Sequence, residues 1–487
     1  MDATSLPASP TQPLGEPCVD WSSLPLRRRL GVIRRFRYHL VRHQADWVET
    51  ATPEWRIDPV QTLAAEVIPL ADACRFLEKE AGRWLKPKRL GRDGRPVWLA
   101  GTAAEVHREP LGWVMILAPS NYPLMLPGVQ VLQALAAGNS VALKPSPLAL
   151  PAAQKLVATL HDCGVPMSAL RLLDTDPASA RALYGQIDKL VLTGSRATGL
   201  AVQRDLAEYG VPSVMELSGV DAMVVLPGAN LELVTRAIGF GLGYNASATC
   251  IAPRRIMVVG DSARLVERLP KLLGELPSTP LHPGGSAPLK RLIEKARELG
   301  GEVIGDAKRF DVTRPLVVTG VPQDHGLFDE DLMAPVAVVT EVGSVMEAVA
   351  AVNRSSYGLG ASVFGPMERA QAVAARLDVG VVTVNDVIVP TADPRLPFSG
   401  RRDSGFGVTR GGEGLLEMTR VKVVTRRGGR KVPIYLDPGA GNPAAALPAL
   451  FDFSHGPTWR HRLAGLLRLI RSGRGGGGSS DDGDASR

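Results

Sequence analysis

The chain has 487 residues, 45% of them hydrophobic and 22% charged, the composition of a globular protein, and a length that leads us to expect two or three domains. Only 5% are aromatic and the formal net charge is a modest +7, with cations gathered near the ends at Arg27-Arg28-Arg29, Arg34-Arg35 and 460–474, so nucleic-acid binding is not expected. The 4 cysteines lack metal-ligand or CxxC spacing, no apolar run spans 18 residues, and residues 1–17 carry no apolar core of a signal, which argues against a metal site, a disulfide framework, a membrane span and secretion, and points to a reducing, cytoplasmic setting.

In chain order, residues 1–20 read as a disordered tail, and 24–50 and 59–84 show helical spacing of apolar residues such as Leu30, Ile33, Leu40 and Val41. The stretch 95–108 alternates as extended chain. Residues 112–118 form an apolar strand that feeds the loop Pro119-Ser120-Asn121-Tyr122-Pro123. Helix 129–137 stops at Gly138-Asn139; strand 140–143 ends at Lys144-Pro145-Ser146-Pro147. Helix 151–163 and strands 170–173 and 189–192 follow, the last ending in Thr193-Gly194-Ser195. Downstream, strands are expected at 222–226, 256–259, 316–319, 336–341, 361–364 and 381–385, with helices at 231–243, 262–275, 286–299, 344–353 and 366–378. Strand and helix alternate throughout, which predicts an α/β fold of two open, mainly parallel α/β domains. From 427 the chain is Pro/Ala/Gly-rich, then an Arg/Leu amphipathic stretch runs over 458–473 and a Gly-rich end reads as disordered.

Three segments carry groups that could act together. Cys250 lies in Tyr244-Asn245-Ala246-Ser247-Ala248-Thr249-Cys250, Glu216 in Met215-Glu216-Leu217-Ser218-Gly219, and Asn121 in the loop above. A thiolate nucleophile, a general base and an amide donor to an oxyanion are the parts needed to pass a carbonyl through a thioester. With Arg108-Glu109-Pro110-Leu111-Gly112, Lys144-Pro145-Ser146, Thr193-Gly194-Ser195, Asn353 to Leu359, and Pro397-Phe398-Ser399-Gly400 through Ser404-Gly405, the order and spacing over about 108–426 resemble the aldehyde dehydrogenase superfamily.

That resemblance implies NAD(P)+-dependent oxidation of an aldehyde to an acid. Cys250 would be the nucleophile. Asn121, with the Cys250 backbone N–H, would hold the oxyanion. Glu216 would activate water to hydrolyse the thioester, and its presence argues against release to coenzyme A. Lys144 would hold the adenosine ribose, Ser146 would also bind the cofactor, Gly194 and Ser195 would bind the pyrophosphate, Asp331 or its neighbour Glu330 the nicotinamide ribose, and Phe398 would pack on the nicotinamide. Pro147 stands where many relatives carry a glutamate that repels a 2′-phosphate, so NAD and NADP both remain open. The resemblance also implies a cofactor domain over 21–217, a catalytic domain over 218–408, and a small β element from a hairpin near 95–108 and a return strand within 409–429, supporting a homodimer or homotetramer. The region 430–487 is an extension whose helix 458–473 suits a membrane surface, a protein partner or the enzyme's own body. No metal is expected.

The sequence departs from the family pattern at Ser247-Ala248 (usually Gly-Gln), Ser218 and Ser399 (usually Gly), Met333-Ala334 (usually Phe-Gly) and Asp331 (usually Glu). These leave two rivals in view, a coenzyme A-acylating enzyme and a non-catalytic family member acting as a scaffold.

Overall fold

A computed structural model describes residues 12–283, 285–428 and 443–474. Residues 1–11 of the expected disordered tail, and the Gly-rich terminus from 475, lie outside the described residues; residues 12–20 are ordered instead, because Leu14 and Cys18 are buried and their N–H groups donate to Gln186 and Ser140. The chain divides into two compact units, one of residues up to 85 with 109–420, the other of 86–108 with 421 onward. The boundary expected at 217/218 lies inside the first unit, between its two sheets.

The first sheet has six strands in the order Gly405–Phe406, Ser213–Glu216, Lys189–Thr193, Trp113–Leu117, Ser140–Lys144, Leu170–Leu172. All its pairs are parallel except that of Gly405–Phe406 with Ser213–Glu216. Trp113–Leu117 is buried at every position, as a strand covered on both faces must be. The helix Met125–Ala137 that follows it is also buried throughout, which explains its near-continuous apolar sequence. It ends at Gly138, whose φ of 99° a side chain would resist.

The second sheet has seven strands in the order Glu302–Ile304, Leu316–Thr319, Val336–Val342, Pro253–Val259, Asp221–Val225, Gly360–Phe364, Val381–Val384. Only the Glu302–Ile304 edge runs antiparallel. The expected helix 262–275 is two helices, Ala263–Val266 and Leu269–Glu275, with Pro270 in the first turn of the second, where its missing N–H costs nothing.

In the second unit, Lys88–Leu90 pairs with Thr102–Pro110, which neighbours Thr419–Arg427. The hairpin thus begins earlier than 95, because residues Val97–Leu99 form a 3₁₀ turn behind Pro96, which has no N–H to give a ladder. The helix Trp459–Arg474 is present where the amphipathic stretch predicts it. A second helix, Pro443–His455, was not expected from the Pro/Ala/Gly-rich composition. Pro443 at its start and three alanines after it favour helix despite the bias.

Candidate active site

In the six-stranded sheet, Trp113–Leu117 has Ser140–Lys144 on one side and Lys189–Thr193 on the other. Strand order reverses there, so the loops after the strands diverge and leave a crevice at their carboxyl ends, where α/β sheets bind ligands. A cavity of about 500 Å³ occupies it, lined by Asn121, Lys144, Ser146, Gly194, Ser195, Glu216, Cys250 and Asp331 among others. Of the residues given site roles in the sequence, all meet in one cleft except Phe398, which is buried outside the lining, and Glu330, the alternative to Asp331.

Cys250 is the half-buried member of the four free cysteines; Cys18, Cys74 and Cys163 are buried. Burial pushes its thiol above the ordinary range, the charges of Glu216 and Asp221 push the same way, and Arg410 opposes them. The loop before it is unusual. Asn245, Ala246 and Ser247 have φ of 54°, 50° and 59°, three successive side chains in the left-handed region. Such backbone persists only where its surroundings over-determine it.

Those surroundings are polar and buried. Asn121 donates from its amide to the Ala248 carbonyl at 3.1 Å, and Asn245 donates to that carbonyl at 3.0 Å and to the Asn121 carbonyl at 3.1 Å. Arg56 donates to Asn245 Oδ1 at 3.0 Å and to the Asn121 carbonyl at 3.1 Å, and its fully buried guanidinium pairs with Glu66 at 3.1 Å. Glu66 in turn accepts from the first N–H groups of the buried helix, Leu124 at 3.1 Å and Met125 at 2.7 Å. The Asn121 loop and the Cys250 loop are thus fixed to each other by one network. Tyr122 and Thr249 add a hydroxyl pair at 2.7 Å.

Glu216 ends the strand Ser213–Glu216. Burial raises its carboxyl above the ordinary carboxylate range, with Arg410 and a hydrogen bond from Thr409 pulling the other way. Thr409 Oγ1 donates to Oε2 at 3.1 Å, while the buried Oε1 has no partner among the described residues. A buried acceptor left open in a cavity that also holds the thiol is a base with room for a proton donor such as water. Phe398 contacts both residues that act on Glu216. It exchanges backbone hydrogen bonds with Thr409, and the Arg410 guanidinium lies 4.2 Å over its ring.

At the other end, Lys144 is half-buried, and burial lowers its ammonium while Asp174 and Asp176 partly offset this. Ser195 caps the helix Arg196–Ala207 by accepting from Thr198 N, so that helix start opens on the cavity. A Cβ on Gly194 would meet nothing closer than 3.9 Å, which leaves its backbone approachable. A helix N-terminus, a lysine, a serine and an open glycine around a switch point suit a dinucleotide's phosphates and ribose. Of the neighbours Asp331 and Glu330, Asp331 lines the cavity; Glu330 is engaged at 2.5 Å with Arg291.

The glycine departures have a physical account. In Ser218-Gly219 and Ser399-Gly400 the second glycine is kept, and it is the one without room. A Cβ on Gly219 would lie 2.7 Å from the Cys250 carbonyl, and one on Gly400 2.0 Å from that of Ser404. Several residues escaped sequence reasoning: Thr409, Arg410, the Arg56–Glu66 pair, and His282, which lines the cavity, meets Ser120 Oγ at 2.8 Å and abuts Trp55. Among the described residues no group of His, Cys, Asp and Glu is arranged to hold a metal ion, and no helix is long and apolar enough to cross a membrane.

The aldehyde dehydrogenase family model matches residues 15–424. The NADP(+)-dependent succinate-semialdehyde dehydrogenase of Deinococcus radiodurans is 32% identical over 427 residues, covering 83% of this chain and 87% of its own. The 4,4′-diapolycopene aldehyde oxidase of a Methylomonas species is 28% identical over 415 residues, covering 82% and 77%. The crystal structure of NADP-dependent glyceraldehyde-3-phosphate dehydrogenase from Bacillus halodurans, complexed with NADP, superposes with a TM-score of 0.78 at 28% identity, covering 84% of this chain and 88% of that one. This chain belongs to the aldehyde dehydrogenase family. The helices at 443–455 and 459–474 lie beyond the matched residues.

Proposed function

We propose that the protein oxidises an aldehyde to a free acid with NAD or NADP, through a thioester on Cys250 that Glu216 helps water to cleave. The observation that carries this is the shared cavity of a half-buried thiol and a buried carboxylate with an open oxygen. The Cys250 thiol gives its proton to solvent water, and its sulfur attacks the carbonyl carbon, forming the C–S bond as the C=O π pair moves onto oxygen. The Asn121 amide and the Cys250 N–H stabilise the oxyanion that results. The nicotinamide, when bound, supplies the acceptor for the hydride lost from that carbon. Lys144, Ser146, Gly194, Ser195 and Asp331 hold the cofactor. Glu216 then takes a proton from water, which attacks the thioester carbon; the C–S bond breaks, the thiol is restored and the acid leaves. Glu216 favours water over coenzyme A as the final acceptor. Product analysis with and without coenzyme A tests this: free acid in both supports hydrolysis, and a coenzyme A thioester refutes it.

The same reading extends to assembly and place. The strand Thr419–Arg427 displays Val421 at 55% and Val423 at 60% exposure on one face, which supports a homodimer or homotetramer through this element, measurable by light scattering. Four free thiols support a reducing, cytoplasmic setting. A second reading concerns the terminal helix. Trp459, Leu463, Leu467 and Ile470 form one stripe at helical spacing, 69%, 46%, 50% and 46% exposed, and the helix carries arginines and no acid. We propose that it lies on an anionic lipid surface. Full-length protein should float with phosphatidylglycerol vesicles and not with phosphatidylcholine vesicles, and Leu467→Asp should release it; equal recovery with both, or none, rejects the lipid surface.

A further inference from the structure

Arg254 opens no cavity and faces no solvent, yet it carries a charge within four residues of the thiol. It sits on the strand Pro253–Val259 and is 3% exposed. Burial lowers its guanidinium from the ordinary value, while Asp331, Asp221 and Cys250 draw it back up. Nη1 donates to Ser247 Oγ at 2.5 Å and to the Ala334 carbonyl at 2.6 Å, and Nη2 donates to the Ser247 carbonyl. Ser247 Oγ donates its hydrogen bond to the Gly241 carbonyl at 2.9 Å, so its lone pair is free to accept from Arg254.

Two strained loops therefore end on one guanidinium. The first is the left-handed run Asn245, Ala246, Ser247 that leads into Cys250. The second runs from Asp331, whose Oδ1 accepts from Met333 N at 3.3 Å, through Met333 at φ 42° to Ala334. The hydroxyl of Ser247, absent from the glycine usual at that place, supplies one of the contacts. A planar fork can hold donors toward two loops at once in a fixed relation, which a flexible ammonium cannot.

We infer that Arg254 is a positioning residue that ties the Cys250 loop to the Asp331 loop, so that nucleophile and cofactor-ribose geometry are set together. It acts through Ser247 and Ala334. The inference rests on the proposed roles of Cys250 and Asp331.

The test compares wild type with Arg254→Lys and Ser247→Ala, each checked for folding by circular dichroism. Three quantities are read: kcat, NADP+ affinity by calorimetry, and the rate of Cys250 alkylation by iodoacetamide followed by mass spectrometry. Arg254→Lys keeps the charge and loses the fork. It should lower kcat roughly 10- to 100-fold, and change both the alkylation rate and NADP+ affinity about tenfold. Ser247→Ala removes only a first-loop contact and should alter alkylation and kcat with NADP+ affinity kept within about twofold. An Arg254→Lys enzyme that matches wild type shows that charge alone suffices and overturns the tie, as does a change on one side only. If Arg254→Lys fails to fold, unchanged alkylation and kcat in Ser247→Ala overturn it. A wild type that stays active after full Cys250 alkylation refutes the role of Cys250 itself, a separate outcome from failure of the tie.

Discussion

The thiol end and the Lys144 end of the cleft differ in how their polar groups are held. Around Cys250, the side chains of Asn121, Asn245, Arg56, Glu66 and Arg254 are buried and bonded to one another or to backbone carbonyls of the neighbouring loop. Around Lys144, Ser146 and Ser195 the groups are half-buried or exposed, and the contacts come mainly from a helix start and an open glycine. The first end fixes angles that a covalent step depends on. The second would offer the proposed phosphate and ribose contacts through a helix start and an open backbone.

The comparison can be broken by substitutions at each end. Cys250→Ala should remove turnover by at least about 10⁴-fold; residual dehydrogenation near wild type would end the covalent scheme. Asn121→Ala removes an oxyanion donor and should lower kcat about 10²- to 10³-fold, read in steady-state kinetics with cofactor KM little changed. Arg56→Met leaves Glu66 buried and unpaired, and should cost about 3–5 kcal/mol of stability in denaturant unfolding. An equal loss from a charge change at the Lys144 end would show that the two ends are not built differently. Lys144→Met should raise cofactor KM about tenfold with kcat nearly retained.

Acidity separates the ends as well. Glu216 has its carboxyl raised by burial, so the ionised base accumulates only above the usual carboxylate range, and hydrolysis should gain rate as pH rises through that raised value. Arg410→Met removes the opposing cation and should move this limb to higher pH. The stability sign follows from the same shift. A raised carboxyl favours the fold below its unfolded pKa, and that contribution is lost as pH rises through the folded value. The thermal stability of Glu216→Gln relative to wild type should therefore grow with rising pH, read by calorimetry across the acidic to neutral range.

Much of the fold was legible because buried parallel strands read as unbroken apolar runs, as in Trp113-Val114-Met115-Ile116-Leu117. Cys250, Glu216 and Asn121 were legible through the order of their segments. What escaped is what only tertiary structure pairs. Arg56 and Glu66 look like surface charges in sequence and are both fully buried. Arg254 and Arg410 look like solvated cations and are 3% and 8% exposed. The serines at 218, 247 and 399 stand out in sequence only as departures from the family's glycines; the crowding at Gly219 and Gly400 and the partner of Ser247 are visible only in the structure.

The most direct test is a stopped-flow trace of reduced cofactor in Glu216→Gln with saturating aldehyde. The account predicts a rapid burst of about one equivalent per Cys250, then turnover slowed about 10²- to 10⁴-fold, because the thioester forms and is not hydrolysed. Unchanged steady turnover, or no burst from a variant that still binds cofactor, would contradict the role given to Glu216 and with it the hydrolytic reading of the site.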